Sequence, residues 1–261
     1  MVRARGLYGL GVKLHVHEWG DPGSPTVVCL HGVTAHGERF RQLAEERWAS
    51  RFHVLAPDLR GHGRSGWEPP WTFAQHVADL VETFPEPCAW VGHSFGGRLV
   101  VELAAQHPAL VERAVLLDPA LHVLPQVAAA IADLERSDAV YELVEAYVDS
   151  RTDAGGMDRA RALADMTLHV DALPDGRVRR RTSQAAVVSV YGELASEPRP
   201  PPAAPTLLLY APDYGLVRDE HVAQYEHVVT VPGMHMVMWA AFDETAAAVE
   251  HFLSEDPGAE R

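Results

Sequence analysis

The sequence predicts an α/β fold in which a mostly parallel central sheet is covered by helices on both faces. Short apolar runs typical of buried strands recur along the chain. Segments of helical length lie between most of these runs, so strands and helices alternate. This alternation favours a parallel sheet, because each parallel connection needs a crossover segment that packs on the sheet. With 261 residues, of which 47% are hydrophobic, the chain can supply the core that this architecture requires.

Six apolar runs are predicted as strands. In chain order they cover residues 26–30, 52–56, 88–91, 114–117, 206–210 and 228–231. Before them, the run at 12–19 has a strand pattern that places His15 and His17 on one face. Two histidines on one face suggest a metal pair, but Cys, Asp and Glu are missing at ligand spacing. We therefore expect a solvated strand face and no metal.

The strand rhythm stops after Asp118 for about 85 residues. Segments rich in Ala, Leu, Glu and Arg with helical character follow, at residues 124–151, 158–170 and 182–195. A proline-rich stretch at 198–202 then returns the chain, stiff and extended, to the next strand. We expect a sheet domain formed by residues 1–118 and 204–261. Residues 119–203 are expected to form a helical cap inserted into it.

The pentapeptide Gly-His-Ser-Phe-Gly at residues 92–96 is a G-x-S-x-G pattern. It lies between the strand-like run at 88–91 and a segment with helical apolar spacing. A strand that reverses sharply into a helix strains the central serine and crowds the residues two before and two after it, where side chains would clash. The pattern therefore predicts a nucleophile elbow that presents the Ser94 hydroxyl to a reacting carbonyl group.

Other motifs place this elbow within a series that spans the chain. His31-Gly32 follows one strand-like run, and the stretch at 58–65 follows the next. The elbow comes third, and an acid after a late strand and a histidine near the C-terminus complete the order. On these residues the chain resembles the α/β-hydrolase superfamily, in particular its capped, esterase-like serine hydrolases. The resemblance implies the α/β-hydrolase fold with an inserted cap, and hydrolysis that needs no cofactor.

A serine hydroxyl is a poor nucleophile at neutral pH, so Ser94 needs a base within hydrogen-bond reach. His235 lies in a short loop after the last strand-like run and before the last predicted helix, 242–253. The order serine, then acid, then histidine is that of α/β-hydrolases. We predict that His235 is the general base.

The base in turn needs an acid that fixes its tautomer and stabilises its positive charge. Asp118 and Asp213 both follow a strand, and both lie between Ser94 and His235. Chain order excludes neither. Asp213 comes just after the penultimate strand, where most members of the resembled family carry their acid, so we predict Asp213 and keep Asp118 as the alternative.

The resemblance also implies an oxyanion hole, formed by the backbone N–H groups of Val33 and Phe95. Phe95 follows the nucleophile at a helix start, where N–H groups lack partners and the helix dipole favours an anion. Val33 follows His31-Gly32, where the chain leaves its strand. Both contributions come from the main chain, so the two side chains affect the shape of the pocket only.

Together these residues predict a serine hydrolase that cleaves carboxylic esters of small to medium, partly apolar substrates through an acyl-enzyme. The same residues could act on thioesters, lactones, amides or carbon–carbon bonds, because fold and triad do not define the pocket. A receptor on the same fold, which binds a small molecule without turnover, is the alternative from another class. An epoxide hydrolase or dehalogenase of this fold would carry Asp in place of Ser94.

Composition narrows the classes of partner. The formal net charge of −14 offers no basic surface for nucleic acid. No run reaches the roughly 20 apolar residues of a membrane-spanning helix, and residues 1–11 lack the apolar core of a signal peptide. We expect a cytoplasmic monomer or homodimer that binds an ester-like small molecule and no membrane. In that compartment Cys29 and Cys88 should be buried and reduced.

Overall fold

A computed structural model of the chain describes residues 12–136, 139–155 and 158–255. The strands in these ranges are β1 (Val16–Trp19), β2 (Thr26–Leu30), β3 (His53–Pro57), β4 (Cys88–His93), β5 (Val111–Leu117), β6 (Val140–Tyr141), β7 (Val170–Ala172), β8 (Val178–Arg180), β9 (Thr206–Tyr210) and β10 (His227–Thr230). The segment 1–11, in which the sequence predicts no signal-peptide core, lies outside the described residues.

Seven strands form the central sheet, in the order β1-β3-β2-β4-β5-β9-β10. β1 is antiparallel to β3, and the other neighbouring pairs of this sheet are parallel. The mostly parallel sheet predicted from the sequence is therefore confirmed, and each of the six apolar runs forms a strand in it. Parallel pairing brings the carboxyl ends of β2, β4, β5 and β9 to one edge of the sheet.

Helices cover both faces of this sheet. The α-helices of the described residues are α1 (Arg41–Leu43), α2 (Phe73–Thr83), α3 (Phe95–Gln106), α4 (Pro125–Glu135), α5 (Val144–Gly155), α6 (Arg159–Thr167), α7 (Gln184–Leu194), α8 (Asp219–Val222), α9 (Val237–Ala240) and α10 (Phe242–Ser254). Among them, none combines the length and the apolar character that a bilayer-crossing helix needs.

Alternating side chains along each strand divide the core between the two faces. In β2, Val28 and Leu30 pack with apolar residues of α2 and α3, whereas Val27 and Cys29 pack with those of α10. Cys29 and Cys88, on neighbouring strands, are both buried and free, as predicted. Burial raises the pKa of the Cys88 thiol to about 12, which keeps it protonated and unreactive.

Residues 119–203, the predicted cap, connect β5 to β9 and are called the cap segment below. They contain α4 to α7, and α4 packs against α7. They also contain a separate antiparallel sheet in the order β6-β8-β7. The prediction of helices alone was wrong at these strands, because strands of two or three residues are too short to show an alternating pattern.

In the turn from β4 into α3, the backbone packs closely against itself and against β2. Ser94 has φ +55° and ψ −118°, a strained conformation for a residue with a side chain. A Cβ atom on Gly92 would collide with the carbonyl group of Gly96, and one on Gly96 would collide with the carbonyl group of Leu30 in β2. The two glycines of the pentapeptide therefore let the strand reverse and hold Ser94 at the edge of the sheet.

We expect Gly96→Ala to destabilise the protein by about 3 kcal/mol, because the added methyl group would meet backbone atoms that have no rotamer to change. Gly192→Ala is the matched control. Gly192 lies in α7 with open space around the position of its missing Cβ, so alanine there should stabilise by about 0.5–1 kcal/mol. Urea unfolding measures both changes, and similar values for the two variants would contradict this account of the turn.

Several histidines are buried in their neutral form. Burial is the main reason that the pKa of His62 falls from 6.5 to about 4 and the pKa of His76 falls to about 3. His76 packs edge-on against the ring of Phe95, with 5.2 Å between ring centroids. The unfolded chain therefore binds protons at a higher pH than the native state does.

Because these pKa values are lowered in the native state, their contribution to stability is complete above about pH 6.5 and is lost as the pH falls toward them. Each such histidine should add up to about 1.4 kcal/mol per pH unit to the slope of the unfolding free energy. We expect His76→Leu to reduce that slope between about pH 4 and pH 6 by roughly this amount. Urea titrations at several pH values measure it, and an unchanged slope would show that His76 does not resist protonation.

Candidate active site

The strand order places two of the predicted residues next to each other. Ser94 follows β4 and Asp118 follows the adjacent β5, and the Ser94 N–H donates to the Leu117 carbonyl oxygen over 3.1 Å. Ser94 is 8% exposed. Both residues therefore lie at the carboxyl edge of the sheet, where parallel α/β folds bind their ligands.

His235 is held against Asp118. Its Nδ1 atom lies 2.6 Å from Asp118 Oδ2. The carboxylate is fully buried, and its second oxygen, Oδ1, accepts the Ala211 N–H over 3.2 Å. A carboxylate accepts only, so Nδ1 carries the proton of the neutral ring and Nε2 keeps a free lone pair. This is the tautomer that a general base needs.

The structure corrects the prediction that Asp213 would be the partner of His235. Asp213 lies in a short 3-10 turn, Pro212–Tyr214, and its side chain is exposed. That turn presents the next residue to the site instead: the Tyr214 ring stacks on the His235 ring, with 4.7 Å between centroids. Asp118, the alternative kept from the sequence, occupies the position beside Nδ1.

His93, the second residue of the pentapeptide, also contacts His235 and was not predicted to do so. Its Nε2 lies 3.0 Å from the His235 carbonyl oxygen, and the two rings are 4.6 Å apart. Burial holds the pKa of His93 well below its ordinary value, and the neighbouring His235 and Arg39 lower it further. The ring is therefore neutral and donates its Nε2 proton to the carbonyl group, which fixes the backbone of the His235 loop.

The loop after β2 passes beside the elbow. A Cβ atom built on Gly32 would lie 3.0 Å from Ser94 Cβ, so backbone and nucleophile are nearly in contact. The N–H groups of Val33 and Phe95 donate no hydrogen bond to any residue within the described ranges. Unpaired backbone N–H groups are the kind of donor that can stabilise a developing oxyanion.

Buried histidines hold this loop. His31 Nδ1 donates to the Gly32 carbonyl oxygen over 2.7 Å, and His31 Nε2 accepts the Leu59 N–H over 2.9 Å. Thr34, with φ +61°, donates its N–H to His62 Nε2. The histidines therefore set the direction of the backbone from which the Val33 N–H points.

The cap segment meets the site through an ion pair. Arg39, which follows this loop, donates from Nε to Asp165 Oδ2 on α6 over 3.2 Å, and its guanidinium lies 5.3 Å from the Trp239 ring centroid. Burial alone would raise the pKa of Asp165, but the charges of Arg39 and His36 hold it below its ordinary value. The pair is therefore ionised at neutral pH and ties α6 to the sheet domain beside the His235 loop.

One group of side chains among the described residues could hold a metal ion. His15, His17 and Asp58 each offer a ligand atom, and these atoms lie within 4.8 Å of one another. Asp58 was not predicted to lie beside the two histidines, because it is distant from them in the chain. The Asp58 carboxylate already accepts backbone N–H groups from Gly37 and Arg64, each over 2.8 Å, and lies 3.2 Å from His17 Nε2. These bonds account for the buried charge without a metal.

Within the described ranges, the Ser94 hydroxyl makes no hydrogen bond to the start of α3 and none to His235. In hydrolases without substrate, the bond between nucleophile and base is often long and shortens when substrate binds. The structure therefore places the strained Ser94 at the end of the strand next to Asp118, and Asp118 contacts His235. Serine, histidine and a buried carboxylate are the residue types that acyl transfer by nucleophilic catalysis uses.

Comparison with known proteins shows which family the chain resembles in sequence. The model of the Alpha/beta hydrolase family matches residues 27–248. Lipase LipV of Mycobacterium tuberculosis is 36% identical over 197 residues, which cover 73% of this chain and 75% of the lipase. The 2-(acetamidomethylene)succinate hydrolase of Mesorhizobium japonicum is 29% identical and aligns over 93% of this chain and 92% of its own length.

Solved structures of hydrolases also superpose on this chain. An E-2-(acetamidomethylene)succinate hydrolase superposes with a TM-score of 0.82 at 25% identity, over 94% of this chain and 96% of that one. A marine microorganism esterase superposes with a TM-score of 0.75 over 93% of this chain and 100% of that one, and at 20% identity it shows the fold alone. The family match covers most of the chain, and its relatives are named hydrolases. The chain belongs to the alpha/beta hydrolase family.

Proposed function

We propose that this protein is a serine hydrolase that cleaves carboxylic esters of small to medium, partly apolar substrates through an acyl-enzyme on Ser94. The observation that carries the proposal is the 2.6 Å contact between His235 Nδ1 and the buried Asp118 carboxylate, one strand away from the strained Ser94. A contact of this kind prepares an imidazole to accept a proton at Nε2.

In the first half of the reaction, Ser94 Oγ attacks the ester carbonyl carbon while its proton passes to His235 Nε2. The carbonyl oxygen becomes an oxyanion and accepts hydrogen bonds from the N–H groups of Val33 and Phe95. Asp118 keeps its charge and stabilises the imidazolium. When the tetrahedral intermediate collapses, the bond to the alcohol oxygen breaks, and His235 gives that oxygen its proton.

In the second half, a water molecule replaces the alcohol. His235 Nε2 takes one proton from the water, and the hydroxide oxygen attacks the acyl carbon. The oxyanion forms again in the same hole, and its collapse breaks the bond to Ser94 Oγ. The proton on His235 returns to Ser94, and the carboxylic acid is released. Each step uses only residues of this chain and water.

The substrate class is supported by the relatives and by the apolar residues close to Ser94 and Asp118 in the chain. Phe95 of the elbow and Leu121 of the cap segment are buried in one apolar cluster, and Val33 packs against it. LipV is named a lipase, which is an ester hydrolase. Thioesters, lactones, amides and carbon–carbon bonds would use the same atoms, so a panel of substrates must rank the bond types.

Ser94→Ala should abolish hydrolysis of p-nitrophenyl esters and labelling by a fluorophosphonate probe, because the reacting oxygen is removed. The wild-type protein should label and should hydrolyse short and medium acyl esters faster than matched amides. In-gel fluorescence measures the labelling, and absorbance at the p-nitrophenolate band measures the hydrolysis. A wild-type protein that binds these esters but neither labels nor turns over would instead be the small-molecule receptor.

Asp118→Asn and Asp213→Asn form a matched pair that tests which acid acts. Asp118→Asn should lower kcat by about 10⁴-fold, because an amide cannot hold the required tautomer or stabilise the imidazolium. Asp213→Asn should keep kcat within about twofold, since Asp213 is exposed and Asp118 takes the place beside His235. The reverse ranking would restore the prediction made from the sequence.

A further inference from the structure

Arg98 lies in α3, one turn after Ser94, and its backbone N–H donates to the Ser94 carbonyl oxygen over 3.2 Å. Its side chain is 1% exposed. The guanidinium donates to the carbonyl oxygens of Leu121, Ser196 and Glu197, to the Ser196 hydroxyl and to Glu102 Oε1. A buried arginine with this many partners is fixed in position on the nucleophile helix.

Two of these partners stand at the two ends of the cap segment. Leu121 lies three residues after Asp118, where the chain leaves the sheet. Glu197, whose carbonyl oxygen is 2.9 Å from Arg98 Nη2, lies where the chain returns toward β9. One side chain therefore joins both connections of the cap segment to the helix that begins at the nucleophile.

The segment that carries Asp118 depends on such support. Asp118 has φ +39°, a conformation that a residue with a side chain keeps only when its surroundings impose it. The backbone N–H of Asp118 itself donates to the Leu209 carbonyl oxygen over 2.7 Å. In the residues that follow, the Ala120 N–H donates to the Ser94 carbonyl oxygen over 3.0 Å, and the Leu121 carbonyl oxygen accepts a hydrogen bond from the Arg98 guanidinium.

We propose that Arg98 is a positioning residue: it holds the 118–121 segment against the nucleophile helix, and so keeps the Asp118 carboxylate directed at His235. This inference rests on the proposed function. Arginine suits the task because its planar fork carries five N–H donors, enough to reach the carbonyl groups of both connections and Glu102 at once. Lysine has three donors on one atom and cannot span them.

Glu102 is the partner that makes the buried charge tolerable. It is 3% exposed, and its Oε1 accepts from both Nε and Nη2 of Arg98, at 3.1 and 2.9 Å. It also fixes the plane of the guanidinium, because two donors meet one oxygen. Weakening this pair should loosen Arg98 without removing its hydrogen bonds to the 118–121 segment.

We expect Arg98→Lys to lower kcat by about 10- to 100-fold, because a displacement near 1 Å in a catalytic group has effects of that size. KM for a p-nitrophenyl ester should stay within about threefold. Arg180→Lys is the matched control: Arg180 is a buried arginine of the cap segment that pairs with Glu135 over 2.8 Å. Arg180→Lys should lower Tm about as much as Arg98→Lys does, but it should keep kcat within about twofold.

A double-mutant cycle tests whether Arg98 acts through Asp118. In the Asp118→Asn background, adding Arg98→Lys should lower kcat by less than about threefold, because the carboxylate that Arg98 positions is already absent. A further fall as large as in the wild-type background would overturn the proposal and leave Arg98 a purely structural residue. Unchanged kcat in Arg98→Lys alone would overturn it as well.

If Arg98→Lys does not fold, Glu102→Gln can replace it in the double-mutant cycle. It should lower kcat severalfold in the wild-type background and have almost no effect in the Asp118→Asn background, and equal effects in both would contradict the proposal. The proposed function fails in a different way, since Asp118→Asn and Ser94→Ala alone would then leave kcat unchanged. The two failures are therefore distinguishable.

Discussion

The hydrogen bond between His235 and Asp118 is the contact on which the candidate site depends. It joins the loop after β10 to the end of β5, and β5 pairs directly with β4, which ends next to Ser94. The parallel register of β4 and β5 pairs His93 with Leu117, so the residues that follow, Ser94 and Asp118, leave the sheet side by side. A carboxylate on this strand is closer in the sheet to the nucleophile than one on β9 would be.

Backbone strain and buried polar groups are concentrated at this edge. The described residues other than glycine with positive φ are Thr34, Ser94 and Asp118. They lie in the loop after β2, in the elbow and at the start of the cap segment. Buried polar side chains support two of these sites, His62 at Thr34 and Arg98 at the segment after Asp118, and His93 supports the neighbouring His235 loop. The fold stabilises strain at these points with hydrogen bonds whose donors and acceptors are shielded from water.

The sheet and the elbow could be predicted from the sequence because both have short-range signals. Apolar runs marked the strands, and the two glycines around Ser94 marked the turn. The choice of acid could not be predicted, since Asp118 and Asp213 both follow a strand closely in the chain and both precede His235. The 3-10 turn at Pro212–Tyr214 directs Tyr214 toward His235, and no pattern in the sequence shows that. His93 was missed because its partner is a backbone carbonyl group distant in the chain.

The state of the His235 Nδ1 proton tests the central claim most directly. A proton held between imidazole and a buried carboxylate gives a resonance far downfield in the proton NMR spectrum, well apart from ordinary amide signals. We expect this resonance in the wild-type protein and in Asp213→Asn. We expect Asp118→Asn to abolish it, while the rest of its spectrum remains that of a folded protein. A resonance that survives Asp118→Asn and disappears in Asp213→Asn would contradict the account.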